Sequence, residues 1–422
     1  MAYCDGTRIR VLTEQHGVTP FIPTAVSYRN GRPRAFGREA REEETDISVT
    51  SLKWELTKDR QFDIGDESRG KTAEEVVTDF AGFLRGILRD NRVDPEEHDI
   101  AVTIPVGYPL SARRKLIKAF GKGGLNVKGV FPEPVSALYA VLASNQREGY
   151  SAIFDWGGGT LDIATLQVKG NRAYVLSTEG MKEGGDDFDE WIAKDALEMF
   201  LSGNPGMEKD REHLWMNRSR GLLLRAERTK WDFSRPIRWD SFVGKKDLEY
   251  RLDVPCFEER LTGSIEKAVS LFRRAIRIGG GTERLVKPVI LSGGTRNLDF
   301  LRRQLETEFG DKIIDRLPQA SYFLDLAAAR IDSATAIGAT LLMANRSRPV
   351  FSKSLGIRLA DARSSSSSDL FCTVFKKGGT VDYNKPVSMD FHVTNPSGGV
   401  AYLMVCEQLN EETEPAGTLL RV

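Results

Sequence analysis

The residues from Ser151 to Leu166 constrain the fold more than any others. Ser151-Ala152-Ile153-Phe154-Asp155 is an apolar run, Gly157-Gly158-Gly159-Thr160 interrupts it, and Leu161-Asp162-Ile163-Ala164-Thr165-Leu166 returns. Two strand-forming runs joined by a short glycine-rich turn read as an antiparallel hairpin. Three consecutive glycines strip every side chain from the tip, so backbone N–H groups there can approach a polyanion. Asp155 and Asp162 flank the tip and Thr160 offers a hydroxyl. That set suits the orientation of Mg2+ waters or of an attacking water. The alternative reading is a glycine-rich hairpin with solvent-facing acids. The stretch is neither a loop ending in Gly-Lys-Ser/Thr nor a Gly-x-Gly-x-x-Gly fingerprint, so a separate cation must meet the phosphates. Lys53 is a candidate, although by its own surroundings it is one surface lysine among many.

Around the hairpin, strand and helix periods alternate. Tyr3 to Thr7 reads as a turn, Arg8 to Leu12 and Ile22 to Val26 as strands, and Asn30-Gly31 as a second turn. Val76, Val77, Phe80, Phe83, Leu84 and Leu88 recur at three and four, which predicts a helix over 72–90. Asp99 to Ile104 is a strand ended by Pro105. Ser111 to Phe120 is a basic amphipathic helix, whose charges fit a solvated face better than a nucleic-acid patch. Val127 to Val130 is a strand, and a helix opens at Pro134. Beyond the hairpin, 187–201, 208–231, 257–278 and 298–309 read as helices, 236–253 as strands and turns, 286–291 as a short buried strand, and 327–343 as an alanine-rich helix. Strand-helix-strand-helix, twice over, implies two α/β lobes. After Asn345 the composition shifts. Ser364 to Ser368 reads as a flexible linker, and 371–375, 387–393 and 400–405 predict a small β-rich unit.

Lys plus Arg and Asp plus Glu each total 60, so the formal net charge is zero and nothing favours non-specific nucleic-acid binding. No apolar run approaches the ~18 residues of a membrane span, and no charged-then-apolar leader opens the chain. The 4 Cys are far apart and the 4 His scattered, so neither a disulfide scaffold nor a zinc ribbon is expected. A reducing, cytoplasmic setting is the expectation.

Taken in order, the motifs resemble the nucleotide-binding half of the seventy-kilodalton heat-shock chaperones, within the actin and sugar-kinase superfamily. Asp155 to Asp162 is similar to that family's second phosphate loop. Thr103-Ile104-Pro105, followed by Arg113, resembles its nucleotide-state switch. Glu133-Pro134-Val135-Ser136-Ala137 matches its Glu-Pro-x-x-Ala stretch, and Gly184-Gly185-Asp186-Asp187-Phe188-Asp189 the segment after the phosphate hairpin. Ala226-Glu227-Arg228-Thr229-Lys230-Trp231 resembles the helix that grips the nucleoside, and Gly293-Gly294-Thr295-Arg296 the adenosine loop. The resemblance implies a two-lobed actin-like ATPase fold followed by a small β-rich C-terminal domain. Its implied divisions are a first lobe over 1–148, a second over 149–329, a return helix on the first lobe over 330–345, a linker over 346–369 and the β-rich part over 370–422.

The same resemblance implies ATP or ADP with Mg2+. Lys53, Glu133, Asp155 and Thr160 would be catalytic. Asp155, Asp162 and Glu133 would address the metal through water. Gly157, Gly158, Gly159, Gly184, Gly185 and Asp186 would meet phosphate. Glu227, Lys230, Trp231, Gly293, Gly294, Arg296 and Asp332 would meet the nucleoside. Trp231 stands where the family has an arginine against the base, and its other reading is packing. A client peptide or protein and a co-chaperone-like regulator are the implied partners, with the chain monomeric or weakly oligomeric. The family's opening Asp-x-Gly-Thr-Thr loop is not in the sequence. Residues 2–7 resemble the strand after it, so the expectation is a start upstream, the alternative being a degenerate, nucleotide-sensing member. The stretch from Gly356 to Val422 is shorter than the family's peptide-binding sandwich with its lid. A small-molecule kinase and an actin-like filament protein remain the other readings.

Overall fold

The computed structural model describes residues 1–5, 8–13, 21–43, 47–65, 70–145, 149–169, 172–279, 286–314, 333–344, 354–359, 370–376, 402–408 and 416–421. The first lobe opens with a strand pair, β1 (Ala2–Cys4) and β2 (Ile9–Val11). A three-stranded sheet follows from β3 (Ala25–Arg29), β4 (Arg32–Phe36) and β5 (Ser48–Thr50), in the order β4-β3-β5, with α1 (Gly37–Glu42) between. Next come α2 (Leu52–Glu55), the short pair β6 (Gln61–Phe62) and β7 (Lys71–Thr72), and the long α3 (Ala73–Asp90). The predicted α3 face is the buried one, with Val76, Val77, Phe80, Leu84, Ile87 and Leu88 inside. Its start is fixed by a capping box, Thr72 exchanging bonds with Glu75, which satisfies two otherwise orphan groups.

The strand β8 (Ile100–Ile104), α4 (Leu110–Lys122), the parallel strand β9 (Val127–Pro132) and α5 (Glu133–Asn145) complete that lobe. An apolar cavity of about 410 Å3, lined in part by Ala2, Cys4, Val102, Leu116 and Ala339, lies among β1, β8 and their covering helices.

The hairpin predicted over 151–168 is present as β10 (Gly149–Trp156) and β11 (Leu161–Lys169), extended by β12 (Arg172–Met181). It sits inside a five-stranded sheet of order β12-β11-β10-β15-β16, in which β15 (Val286–Ser292) and β16 (Ile313–Ile314) run parallel to β10. Between them in sequence lie α6 (Gly185–Ser202), α7 (Arg211–Trp231), the hairpin β13 (Ile237–Val243) and β14 (Lys246–Tyr250), and α8 (Val254–Ile278). The helix α9 (Asp299–Phe309) follows β15.

Strand alternation divides β10 and β11 between two cores. Ala152, Phe154, Trp156, Leu161 and Ile163 join the helices α6, α7 and α8. Ile153, Ala164 and Leu166 face the other way, against α5 and the helix α10 (Ala334–Ala344).

Helix α8 begins three residues before its predicted start. The Asp253 side chain caps it by accepting from the Cys256 N–H, and Pro255 is tolerated there because a helix's first turn needs no donor. The 208–231 helix opens with a 3₁₀ turn at Glu208–Asp210. The predicted 327–343 helix is described from Ala334, and its earlier residues lie outside the described ones. Four strands, β17 (Ser354–Leu359), β18 (Leu370–Phe375), β19 (Tyr402–Gln408) and β20 (Ala416–Arg421), form one antiparallel sheet of order β18-β17-β19-β20. The serine run, the 346–352 segment and the predicted 387–393 strand lie outside the described residues. Cys4, Cys256 and Cys372 are free thiols. Among the described residues no helix is long and apolar enough to cross a membrane.

Candidate active site at the glycine hairpin

Register explains why the two hairpin acids belong to one site. Asp155 and Asp162 are direct cross-strand partners, so both stand on the sheet face that carries Ile153 and Ala164 and looks toward α5. Like charges directly opposite each other repel, and a third acid, Glu133, heads α5 on that side. Burial, then the charges of Glu133 and Asp155, push the Asp162 carboxyl up to about 8, against two hydrogen bonds that favour its charged form. Those bonds come from the Thr160 hydroxyl at 2.8 Å and the Val106 N–H at 2.9 Å. The Lys53 ammonium lies 2.5 Å from a Glu133 oxygen. Thus Lys53, from α2, reaches Glu133 at the head of α5 although 80 residues separate the two. Among the described residues no group of three His, Cys, Asp or Glu is close enough to ligate a metal directly.

Tyr108 was invisible to the sequence reading. It is 1% exposed and donates to the Lys53 carbonyl oxygen at 2.5 Å, while its own carbonyl accepts from Arg113 Nε at 3.1 Å. The loop after Pro105 therefore links three parts of the site: Val106 to Asp162, Tyr108 to Lys53, and Arg113 to Tyr108. The only local signal was the Gly107 turn, which has φ of +75°. Buried tyrosines need a partner for the hydroxyl, but nothing in the sequence said which.

The glycine tip is clamped from two sides. Gly185 N–H donates to the Gly157 oxygen at 3.1 Å and Asp186 N–H to the Gly158 oxygen at 2.7 Å, while the Thr295 hydroxyl donates to the Gly157 oxygen at 2.7 Å. A Cβ on Gly184 would lie 2.4 Å from the Gly158 oxygen, so the two segments meet this closely only because residue 184 is glycine. Gly293 has φ of +84°, and a Cβ on it would stand 2.1 Å from the Trp156 oxygen. Gly157 N–H is used by the Thr160 oxygen. Among the described residues the Gly158 and Gly159 amides have no backbone acceptor, so the tip keeps donors for an incoming anion.

Gly158, Gly159, Gly185, Asp186, Glu227, Lys230, Trp231 and Gly294 line one cleft of about 620 Å3, opposite Phe21, Thr24, Arg38 and Arg41 of the first lobe. Lys53, Glu133, Asp155, Thr160 and Asp162 form the acid-and-lysine cluster described above. Gly157, Gly184 and Gly293 hold the tip from behind. The 3₁₀ turn Gly294–Asn297 carries the backbone of Arg296. Asp332 lies outside the described residues. Lys230 is engaged within the protein: its side chain is 3% exposed, and its ammonium faces Asp189 Oδ1 at 2.7 Å without hydrogen-bond alignment and donates to the Gly185 oxygen at 2.7 Å. Trp231 remains open to the cleft at 45% exposure. Glu227 takes an ion pair across the cleft from Arg41 at 2.8 Å, and Arg220 donates to the Arg41 oxygen at 2.7 Å. Neither arginine carried a sequence signal.

A two-lobed α/β fold with a clamped glycine hairpin over an acid cluster narrows the relatives, and a family model decides between them. The model described as Hsp70 protein matches residues 30–319. The chain belongs to the Hsp70 family. Its similar curated relatives are chaperones. A "Chaperone protein HscA homolog" of Ralstonia pickettii (strain 12J) is 30% identical over 251 residues, 58% of this chain and 39% of the relative. Those of Actinobacillus pleuropneumoniae serotype 5b (strain L20) and Haemophilus influenzae (strain 86-028NP) are 28% and 27% identical, each over 57% of this chain and 37% of the relative. The chain thus matches about two fifths of the length of these relatives. Hsp70 family proteins are in general chaperone ATPases that use ATP and Mg2+.

Proposed function

We propose that this chain binds MgATP between its two lobes and hydrolyses it, and that nucleotide state is passed to a C-terminal region that contacts a client peptide or protein. The observation that carries the reading is the glycine tip. Its Gly158 and Gly159 amides stay unspent on a tip that the Gly185 and Asp186 amides and the Thr295 hydroxyl hold in place. Preorganised donors of this kind favour developing phosphate charge because they need no reorganisation.

The chemistry of the donor set fits a hydrated magnesium ion. Glu133 and Asp155 lie close enough to Asp162 to raise its carboxyl, and Lys53 is paired with Glu133, so the three carboxyl groups carry a local excess of acid over base that a divalent cation relieves. When bound, that cation supplies charge neutralisation on the phosphate oxygens. The chain's own residues do the rest. Gly158 and Gly159 N–H hold phosphate, Thr160 positions Asp162, and Lys53 offers its ammonium to the transferred phosphoryl. Glu133, at the N-terminus of α5, orients the attacking water. On the nucleoside side Trp231 offers a flat face, and Glu227 reaches the ribose once its partner Arg41 is displaced or shared.

The loop from Pro105 to Arg113 is the route outward, because it is bonded to Asp162 and to the Lys53 backbone at once. A regulator that prises Arg41 from Glu227 would act as a co-chaperone does.

Titration calorimetry with ATP and ADP, with and without Mg2+, together with phosphate release, tests the reading. Mg2+-dependent binding and slow turnover are expected, with both reduced in Asp155→Asn. Affinity and turnover unchanged in that variant would overturn the role given to the acids. No nucleotide binding by the unmutated chain would overturn the whole reading.

A further inference from the structure

Two strand edges of the first lobe meet at one apolar cavity. Among the described residues β1 is paired with β2 alone and β8 with β9 alone. Ala2 and Cys4 of β1 and Ala101 and Thr103 of β8 all line the same space of about 410 Å3. The register fixes which way β1 turns its backbone. Leu12 N–H donates to the Met1 oxygen at 2.9 Å, and Tyr3 stands opposite Arg10. Backbone groups alternate sides along an antiparallel strand. Met1 and Tyr3 therefore bond toward β2, while the amides and carbonyls of Ala2 and Cys4 turn away from it. The Thr340 hydroxyl, part of the cavity wall, donates to the Ala2 oxygen at 3.4 Å.

Helices cover both faces of this gap. The side chains of Met1, Tyr3, Val102 and Ile104 join the core of α3 and α4. Those of Ala2 and Cys4 join the core of α10, which packs on both β1 and β8. Edge strands buried in this way still carry N–H and C=O groups that need partners. A hydrocarbon would fill the cavity and leave those groups unpaired, whereas an extended peptide would fill it and bond to them.

We propose that the cavity between β1 and β8 is a docking slot for an extended apolar segment of another polypeptide, which joins the two strand pairs as a shared strand. The walls state its chemistry. The strand β8 is 5 residues long, so the segment is of similar length. With helices on both faces, each position is apolar, as in sheets buried on two sides. The α10 wall is built from Ala336, Ala339 and Thr340 and the opposite wall from Phe80, Leu84 and Leu116, so the larger side chains of the segment face α10. Main-chain bonds supply the affinity and the alternating side chains the selectivity.

The probe is a fluorescein-labelled, capped peptide with the run Val-Ala-Val-Ala-Val between lysine pairs, followed by anisotropy with the unmutated chain, Ala339→Leu and Ala336→Leu. Saturable binding is expected, about tenfold weaker for a peptide with proline at the centre of the run, which lacks a ladder donor. Either leucine fills the slot, so both variants should lose binding while keeping the circular dichroism of the unmutated chain. The peptide should also slow alkylation of Cys4 by N-ethylmaleimide and leave the exposed Cys256 as reactive as before. No saturable binding by the folded, unmutated chain overturns the slot. Equal binding of the proline peptide, or n-decanol displacing the peptide from the slot as effectively as unlabelled peptide does, also overturns it, since the cavity would then take apolar matter without strand pairing. Binding that persists in both filled variants, or Cys4 alkylation that the peptide does not slow, puts the peptide elsewhere and overturns it as well.

Discussion

Replacing Gly338 by alanine tests the packing that sets the site. Gly338 lies in α10 against α5, whose first residue is Glu133. A Cβ built on it would stand 1.6 Å from the Ser136 oxygen, 2.5 Å from the Ser136 carbonyl carbon and 3.2 Å from the Ala140 nitrogen. All three are backbone atoms, so no rotamer change relieves the contact. Carbon and oxygen normally stay about 3.3 Å apart, so the helices must separate locally by roughly 1.7 Å. Overpacking of this kind costs about 3 kcal/mol or more, offset by about 1 kcal/mol because alanine is the better helix former. The net loss of about 2 kcal/mol corresponds to a melting temperature lower by roughly 4–8 °C. Gly82 in α3 is the control. Nothing lies within 4 Å of a Cβ there, so Gly82→Ala should gain about 1 kcal/mol from helix propensity alone. Thermal unfolding followed by circular dichroism reads both. Because α5 also carries Glu133, Gly338→Ala should in addition slow phosphate release. A Gly338→Ala chain that melts at or above the unmutated temperature refutes the close-approach argument.

Two further outcomes follow from the charged groups. The Asp162 carboxyl sits at about 8 in the folded chain, against about 4 when unfolded. The native state therefore keeps a proton that the unfolded chain releases, and stability falls as pH rises from about 4 to about 8, by at most about 5 kcal/mol. Urea unfolding at intervals across that window, in chelator, should give a flatter profile for Asp162→Asn, and an unaltered slope would count against the buried-acid account. Lys230→Met leaves Asp189 buried without its ion partner and the Gly185 oxygen without its donor. Breaking a buried pair costs about 3–5 kcal/mol, so the urea midpoint should drop, and adding Asp189→Leu should recover much of the loss. No recovery in the double variant would point to Gly185 rather than the ion pair.

Much of the site was legible because its parts are local. The hairpin from Ser151 to Leu166 announces itself through apolar runs and three glycines, and its register sets Asp155 opposite Asp162 on one face. The Gly184-Gly185-Asp186 and Gly293-Gly294 segments are visible because only glycine tolerates such close backbone approach. Lys53, Arg41 and Tyr108 were different. A lysine that pairs with Glu133, an arginine that crosses to Glu227 and a tyrosine that braces Lys53 look locally like ordinary surface or core residues. Their partners lie far along the chain, from 55 residues for Tyr108 and Lys53 to 186 for Arg41 and Glu227. Lys230 shows the reverse case. Its sequence motif suggested a ligand contact, whereas in the fold its ammonium is engaged by Asp189 and Gly185.

By itself, then, the sequence determined the elements, the two α/β lobes and the chemistry of the glycine hairpin, because period, turn residues and side-chain absence act over a few neighbouring positions. The tertiary structure alone decided how those parts are charged and joined. It buried Asp162 beside two other acids, which shifts a proton equilibrium that no local pattern encodes. It spent Lys230 inside the second lobe, and it set Arg41 across the cleft from Glu227. Burial and Coulomb energy depend on distance through space, and the chain's folding, not its order, fixes those distances.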